Sequence, residues 1–181
     1  SSVIVGGGAI GMLTALELSQ AGTRVTLLER GDTGRESSWA GGGIVSPLFP
    51  WRYLNAVTRL ASWSQAAYPA LCEQLAESTG IDPELTDNGM LVIAPGETDS
   101  ALTWADEHRR AVEPIDAATF ATLEPAAAQS PNEALWLPNV AQLRNPRLAR
   151  ALRQRLEQLK VTICTDDPVT GLVIERDRCL G

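Results

Sequence analysis

Four glycines interrupt the most apolar stretch of this sequence, residues 3–12 (VIVGGGAIGM). A membrane anchor or signal peptide fits the stretch poorly, because no positive charge precedes it and a spanning helix needs about 18 apolar residues or more. Three consecutive glycines would also cost a helix about 1 kcal/mol each relative to alanine. The glycines therefore mark a place where the backbone turns tightly or closely approaches another group.

The residues around these glycines predict a strand, a helix and a second strand. Residues 3–5 predict a short buried strand, residues 9–20 a helix and residues 24–28 the second strand, which ends at Glu29. The glycines between the first strand and the helix have the spacing G-x-G-x-x-G: Gly6, Gly8 and Gly11. This order is the context that a dinucleotide-binding fingerprint requires.

Each element of this pattern has a physical role in binding a dinucleotide. Gly6 permits the tight turn, Gly8 lets the backbone approach a pyrophosphate, and Gly11 lets the helix pack against the strand. The helix N-terminus offers free N–H groups and a partial positive charge to the phosphates. Glu29 follows Gly11 by 18 residues, where its carboxylate can accept hydrogen bonds from both ribose hydroxyls. A 2′-phosphate, and hence NADP, is disfavoured there. The alternative is that the glycines serve only a tight turn.

Composition narrows the class of protein further. The 181 residues can hold one domain, or one domain and part of another. The net charge of −7 argues against nucleic acid as a partner. Arginines recur between residues 144 and 155, and their spacing predicts the solvated face of a helix whose other face carries Leu148, Leu152, Leu156 and Leu159.

The cysteines and the single histidine exclude several kinds of site. The three cysteines show no C-x-x-C pairing, so that zinc and a disulfide framework are improbable and a reducing cytoplasm is the expected location. His108 cannot make a metal site alone, and on a charged helix it is expected to be exposed.

The rest of the chain alternates helices and strands. Helices are predicted over residues 55–78 with a break at Pro69, 99–110, 116–123 and 145–160. Single strands are predicted over 89–94, 161–164 and 171–176, and one or two strands over 134–143. The last strand looks like the first arm of a hairpin, with too little chain after it to supply a partner. The sequence is therefore expected to be a fragment of a longer protein.

A second glycine cluster, residues 37–44 (SSWAGGGI), follows the second strand. Short polar side chains followed by three glycines suit a backbone pressed against a flat ligand. In NAD dehydrogenases an ordinary crossover normally follows the second strand, so a second loop of this kind indicates the longer cofactor FAD. The alternative is a glycine-rich surface loop.

Several segments carry a resemblance to a known family. GGGAIG, LLER and above all GRESSWAGGGIVSPLFPWRY resemble the N-terminal half of the glycine oxidases of thiamine biosynthesis, within the D-amino-acid-oxidase-like FAD-dependent amine oxidases. The resemblance extends over essentially the whole chain, including DAATFATLEP and AQLRNPRLARAL. It implies an α/β fold, in which a Rossmann-like, doubly wound βαβ domain for FAD accompanies part of an α+β substrate domain. The implied division is 1–86 for the FAD domain, 87–144 for the substrate segment and 145–181 for the return to the FAD domain.

The resemblance also implies which residues contact FAD. Those residues are Gly6, Gly8, Ala9, Ile10 and Gly11 at the pyrophosphate, Glu29 and Arg30 at the adenosine ribose, Glu36, Ser37 and Ser38 along the phosphate and ribityl chain, Gly41, Gly42 and Gly43 near the isoalloxazine, and the backbone of Val169 at adenine. The family's substrate-binding arginine and active-site tyrosine fall in the half that is absent here, so no residue of this chain is assigned a catalytic role. Arg52 and Tyr53 belong either near the active-site entrance or to an exposed aromatic-basic corner.

The implied activity is the FAD-dependent oxidation of glycine or a similar small amine to the imine, with O₂ reduced to H₂O₂, supplying thiazole synthesis for thiamine. The implied partners are the small amine substrate, the missing C-terminal half and a second copy of the chain in a homo-oligomer, without nucleic acid or a membrane span. One alternative is a D-amino-acid or sarcosine oxidase or dehydrogenase of the same family. Another is a non-catalytic module that senses a dinucleotide.

Overall fold

The computed structural model of the chain describes residues 1–179, and of Arg178 only the backbone. Within this range it has ten β-strands and six α-helices. The strands are β1 (Ser2–Val5), β2 (Val25–Leu28), β3 (Thr86–Asp87), β4 (Met90–Val92), β5 (Glu113–Ile115), β6 (Ala134–Leu137), β7 (Ala141–Gln142), β8 (Thr162–Cys164), β9 (Ile174–Glu175) and β10 (Arg178–Cys179). The helices are α1 (Ala9–Gln20), α2 (Ser37–Ala40), α3 (Asn55–Thr79), α4 (Thr98–His108), α5 (Ala117–Leu123) and α6 (Asn145–Gln158).

The chain divides into two compact units. The first unit contains residues 1–42, 71–84 and the chain from 144 onward, and the second contains residues 43–70 and 85–143. The α/β class predicted from the sequence is confirmed. The predicted assignment of segments to FAD and to substrate concerns ligand contacts, and it stays a prediction.

The first unit is built on a parallel sheet in the order β1-β2-β8. Ile4 of β1 pairs with Leu27 of β2, which in turn pairs with Ile163 of β8. Helix α1 connects β1 to β2 and packs against α6. The predicted succession of strand, glycine turn, helix and strand is therefore present.

Helix α6 supplies much of the core of this unit. Leu148, Leu152 and Leu156 are buried, as their spacing predicts, while Leu159 is half-buried. The arginines lie outside this stripe and are partly exposed, and Arg153 donates to Asp32 at 2.5 Å. The apolar stripe explains why this helix forms and which of its faces is buried.

The second unit is built on an antiparallel sheet in the order β4-β6-β5, and β3 pairs separately with β7. Nine of its buried residues form one cluster: Met90, Val92, Ala94, Ala101, Ala105, Val112, Leu135, Leu137 and Val140. Gly89 precedes β4 with φ +70°, and a Cβ there would lie 1.9 Å from the ring of Trp136. Only glycine fits that turn.

The structure differs from the sequence prediction at Pro69, where a break was expected. Helix α3 instead continues through Pro69 from Asn55 to Thr79. A proline inside a helix costs roughly 3 kcal/mol, but α3 is anchored on both sides of it, by the buried residues Thr58 and Leu75. Packing on both sides outweighs the lost hydrogen bond.

Two further expectations were wrong. The final strand does have a partner, because β9 pairs antiparallel with β10. Arg176 and Asp177 connect the two strands with positive φ, the geometry that the shortest hairpin turns need. His108 is half-buried rather than exposed, and its ring lies 5.5 Å from that of Trp104.

Glu97 holds a 3₁₀ turn (Pro50–Arg52) against the start of α4 in the second unit. Its carboxylate accepts hydrogen bonds from Trp51 Nε1 at 2.7 Å and from Arg52 Nε at 2.8 Å. The Arg52 guanidinium also lies 3.9 Å from the centre of the Phe49 ring. The hydrogen bonds from Arg52 and then from Trp51 lower the pKa of Glu97 from 4.5 to about 2.

This lowered pKa predicts a pH dependence of stability. A carboxyl group whose pKa is lower in the folded protein stabilises it fully above its ordinary pKa, and that contribution is lost as pH falls towards the folded value. We therefore expect Glu97→Gln to lower the melting temperature of the protein at pH 7. The difference from the wild type should shrink between pH 4.5 and about 2.

Thermal denaturation followed by circular dichroism at a series of pH values measures this difference. Glu133→Gln is the matched control, since Glu133 is exposed and lies in the same unit. A Glu97→Gln effect that stayed constant down to pH 2 would contradict the assignment.

Candidate cofactor site

A cavity of about 330 Å³ lies in the first unit, beside the carboxyl ends of β1 and β2. The crevice beyond the carboxyl ends of parallel strands is where α/β sheets bind their ligands. The predicted cofactor residues that line it are Gly6, Gly8, Glu29, Arg30, Glu36, Ser37, Ser38 and Val169. The structure therefore brings together residues from three separate stretches of the sequence.

The three fingerprint glycines have different reasons for being glycine. Gly6 has φ +102° and open space where a Cβ would stand. A Cβ on Gly8 would meet only the Ser38 hydroxyl, at 3.1 Å, whereas one on Gly11 would lie 1.8 Å from the Gly6 carbonyl oxygen. Gly6 and Gly8 thus leave bare backbone facing the cavity, and Gly11 allows the helix to start against the turn.

The Glu29 carboxylate is fixed by two backbone N–H groups. Gly7 N–H donates to Oε2 at 2.6 Å, and Gly31 N–H donates to Oε1 at 2.9 Å. Each carboxylate oxygen keeps a further acceptor site, to which a ribose hydroxyl could donate. Sequence reasoning missed the role of Gly7. The signal was the middle glycine of GGG, because a Cβ there would lie 2.8 Å from Thr33 Cγ2 and 3.0 Å from Glu29 Cβ.

Ser38 caps helix α1 from a distance of 29 residues. Ala9 N–H donates to Ser38 Oγ at 2.8 Å, and the N-cap residue of α1, Gly8, has no side chain with which to do this. The N–H that was expected at the pyrophosphate is therefore already bonded within the protein. Ile10 is 79% exposed and lies outside the cavity lining.

Charged side chains of both signs stand around the cavity. Arg30 and Glu36 form a two-pronged ion pair, with Nη2 2.6 Å from Oε1 and 2.7 Å from Oε2. The hydrogen bond to Glu36 raises the pKa of Arg30. Asp32 and Arg35 also line the cavity and pair at 3.3 Å. The sequence analysis did not predict that Asp32 and Arg35 line the cavity, because charged residues in a loop form no motif by which a binding site can be recognised.

Backbone hydrogen bonds hold the segment after β8 beside Glu29. Glu29 N–H donates to the Cys164 carbonyl at 2.9 Å, and Asp167 N–H donates to the Glu29 carbonyl at 3.0 Å. The chain then brings Val169 to the cavity wall. This placement agrees with the expected position of Val169, whereas its contact with adenine stays a prediction.

The three glycines of the second cluster, Gly41, Gly42 and Gly43, lie outside the lining of this cavity, whereas Ser37 and Ser38 belong to it. A Cβ on Gly41 would lie 2.5 Å from the Asn145 amide nitrogen, and Gly42 has open space. In the second unit, Gly43 has φ +75°, and a Cβ there would lie 1.9 Å from the Leu143 carbonyl oxygen. Contacts within the chain thus explain Gly41 and Gly43. Their predicted approach to the isoalloxazine stays a prediction.

Arg52 and Tyr53 have the character of an exposed aromatic-basic corner. The Arg52 guanidinium is paired with Glu97, and Tyr53 is exposed. Their alternative placement near an active-site entrance stays a prediction.

The residues of the cavity fit the adenosine diphosphate part of a dinucleotide. Bare backbone at Gly6 and Gly8 and the start of α1 suit a diphosphate, and the Glu29 carboxylate suits a ribose. Among residues 1–179, no group of three or more histidine, cysteine, aspartate or glutamate side chains could hold a metal ion. None of the helices described in this range has the length and apolar character needed to cross a bilayer.

A parallel βαβ unit with these features defines a dinucleotide-binding protein of the Rossmann type. The family model described as FAD dependent oxidoreductase (DAO) matches residues 2–181. The chain belongs to this family, and the predicted cofactor class, FAD, is confirmed.

Individual relatives agree with the family. The glycine oxidase of Pseudomonas aeruginosa is 46% identical over 99% of this chain and 50% of its own length. The bifunctional protein ThiO/ThiG of Trichormus variabilis is 28% identical over 99% of this chain and 28% of its own. The crystal structure of glycine oxidase from Geobacillus kaustophilus matches with a TM-score of 0.87 and 28% identity, over 94% of this chain and 48% of its own. The chain thus spans about half the length of the glycine oxidases it matches.

The different roles of the glycines predict different mutant phenotypes. Gly8→Val should weaken FAD binding more than about tenfold and leave the fold largely intact, because its side chain would enter the cavity. Gly11→Val should unfold or strongly destabilise the protein, because it collides with the Gly6 carbonyl. Titration of the apoprotein with FAD and thermal denaturation measure the two effects. Gly171→Val is the control, since that position has open space. A Gly8→Val protein that retained FAD would contradict the site.

Two substitutions separate the ribose role of Glu29 from its structural role. Glu29→Gln keeps an acceptor oxygen but loses the charge. Because hydrogen bonds to charged groups are worth about 1.5–3 kcal/mol, FAD affinity should fall roughly ten- to hundredfold. Both variants should lower the melting temperature of the apoprotein, Glu29→Ala more than Glu29→Gln, because Gln leaves one of the Gly7 and Gly31 N–H groups without an acceptor and Ala leaves both. Unchanged FAD affinity in both variants would show that Glu29 does not bind the ribose.

Proposed function

We propose that this chain is the N-terminal half of an FAD-dependent oxidase that converts glycine, or a similar small amine, to the imine with reduction of O₂ to H₂O₂. The observation that carries the proposal is the cavity at β1 and β2, whose glycine turn, helix N-terminus and acidic strand end suit FAD. Support for the substrate comes from the 46% identical glycine oxidase.

Within this proposal, the first unit holds the adenosine diphosphate end of FAD. Gly6 and Gly8 and the start of α1 face the diphosphate, and Glu29 accepts the ribose hydroxyls. Arg30 lies at the cavity with its guanidinium paired to Glu36. In a helix N-terminal site the fixed N–H groups replace the water that a diphosphate loses on binding.

Oxidation of an amine requires a hydride acceptor, and bound FAD supplies that chemistry. The residues of this chain contribute binding and orientation: they position the cofactor and exclude water from its diphosphate. We assign no general base or substrate-binding cation to this chain, and we place those groups in the C-terminal half of the longer protein.

The setting of this activity is also part of the proposal. We place the protein in a reducing cytoplasm, which suits the free thiols of Cys72 and Cys164. Cys72 is buried, and burial raises its pKa to about 11, so that it stays a protonated, inert thiol. We place the product upstream of thiazole synthesis for thiamine, as the sequence resemblance implies.

Peroxide production by the full-length protein tests the activity. With glycine, we expect H₂O₂ formation and bleaching of flavin absorbance in the absence of O₂. A panel containing glycine, sarcosine and D-alanine distinguishes a glycine oxidase from other members of the family. A protein that binds flavin but oxidises none of these amines would contradict the proposal and favour a dinucleotide sensor. Residues 1–181 alone should give no turnover, and turnover comparable to that of the full-length protein would place the catalytic groups within this chain.

A further inference from the structure

The loop after β2, residues 31–36, forms part of the cofactor cavity, and we call it the cavity loop. Four of its residues belong to the cavity lining: Asp32, Gly34, Arg35 and Glu36. None of the six residues lies in a helix or strand. A segment without regular secondary structure depends on individual contacts to hold its position. The contacts of this loop therefore determine the shape of the cavity.

The cavity loop packs directly on the glycine turn that precedes α1. Gly34 N–H donates to the Gly7 carbonyl at 2.8 Å. Thr33 is only 7% exposed, and a Cβ on Gly7 would lie 2.8 Å from Thr33 Cγ2. A displacement of the loop would therefore remove a hydrogen bond and a packing contact from the turn that carries Gly6 and Gly8.

Helix α6 supports the same loop through Arg153. Its Nη1 donates to Asp32 Oδ1 at 2.5 Å and to the Thr33 hydroxyl at 3.2 Å. Gly34 has φ +67°, and a Cβ there would lie 2.6 Å from Ala149 Cβ. Ala149 precedes Arg153 by four residues, so that both contacts come from one face of α6. The loop thus contacts both the glycine turn and α6.

The Arg153 guanidinium is itself held in place. Its Nε donates to Glu157 Oε1 at 3.2 Å, one turn further along α6. The donors of a guanidinium are fixed in a planar fork, so this bond orients the Nη1 group that reaches the loop. Arg153 does not belong to the cavity lining. Its influence on the cavity therefore passes through the loop.

Asp32 extends these contacts to the cavity and to α2. Its Oδ2 accepts from Arg35 Nε at 3.3 Å, and Arg35 belongs to the cavity lining. The Arg35 guanidinium lies 4.2 Å from the centre of the Trp39 ring in α2. The hydrogen bond from Arg35 lowers the pKa of Asp32, and the charge of Arg153 lowers it further. The carboxyl group is therefore ionised at neutral pH, which strengthens the hydrogen bonds it accepts.

We propose that Arg153 is a positioning residue for FAD. Through Asp32 and Thr33 it holds the cavity loop on the glycine turn, in the conformation that receives the cofactor. The proposal rests on the placement of FAD in this cavity, and it does not depend on which amine is oxidised.

Arg153→Met tests this role in the full-length apoprotein, because methionine keeps the apolar stem and removes the donors. The dissociation constant of FAD, measured by quenching of flavin fluorescence well below the melting temperature, should rise roughly three- to tenfold. The apoprotein is folded under these conditions, so a residue that only stabilised the fold would leave this constant unchanged.

Two further variants complete the comparison. Arg153→Lys keeps one charged donor group for Asp32, and its dissociation constant should lie between those of the wild type and Arg153→Met. Arg150→Met is the matched control, since Arg150 is exposed on the same helix and lies outside the cavity lining. It should bind FAD as the wild type does.

Amide hydrogen exchange of the apoprotein measures the position of the loop without FAD. Arg153→Met should speed exchange at least about threefold in peptides that cover residues 31–36, because the Gly34 N–H loses its fixed place beside the Gly7 carbonyl. Peptides from α1 should exchange at the wild-type rate.

A double-mutant cycle tests whether Arg153 acts through Asp32. Asp32→Asn should raise the dissociation constant of FAD at least about threefold more in the wild type than in the Arg153→Met background, because the contact is already lost there.

Several results would overturn the proposal. FAD affinity could be unchanged in Arg153→Met, or the effects of the two substitutions could be additive. Weaker binding with unchanged exchange in the loop, or an equal loss of affinity in Arg150→Met, would show that Arg153 acts only by its charge. Failure of the cofactor site itself is recognised separately, since Gly8→Val would then retain FAD.

Discussion

The carboxylate of Glu29 is the interaction on which the first unit depends. It accepts the N–H groups of Gly7 and Gly31, and so fixes the turn after β1 relative to the end of β2. The backbone carbonyl of Glu29 accepts a hydrogen bond from the Asp167 N–H, which holds the chain after β8 beside the end of β2. Three segments of the chain thereby converge at one residue, Glu29. Because a buried or half-buried N–H without an acceptor costs about 1–3 kcal/mol, a residue here must both accept hydrogen bonds and reach across the turn.

The same convergence explains why this sequence needs two glycine-rich stretches. The first supplies bare backbone at Gly6 and Gly8, and the second contains Ser38, whose hydroxyl caps α1. The helix cannot cap itself from Gly8, since a side chain there would stand in the cavity, where we propose that the diphosphate binds. Supplying the cap from residue 38 leaves that space empty and still satisfies the Ala9 N–H. The two glycine-rich stretches thus contribute to the same site, although 29 residues separate Ala9 from Ser38.

Much of the fold could be predicted from the sequence because local patterns determine it. The glycine spacing followed by a helical pattern predicted β1, α1 and β2, and the leucine stripe predicted the buried face of α6. What the sequence did not reveal depends on long-range packing. The continuity of α3 through Pro69 depends on burial on both sides, and the hairpin of β9 and β10 needs only two residues per strand. Asp32 and Arg35 reach the cavity because the loop after β2 folds back, and no residue spacing signals that return.

The parallel sheet of the first unit has a further physical requirement. Parallel sheets are normally covered on both faces, since their strands are apolar on both sides. Here α1 and α6 pack together beside the sheet, whereas Val3 and Val5 of β1 remain 65% and 60% exposed. Among the described residues β1 also has a hydrogen-bonded neighbour on one edge only, β2. An exposed apolar strand with an open edge invites pairing with another segment. A further strand beside β1, with a layer over Val3 and Val5, would satisfy both requirements, and the C-terminal half of the longer protein is the segment we propose for it.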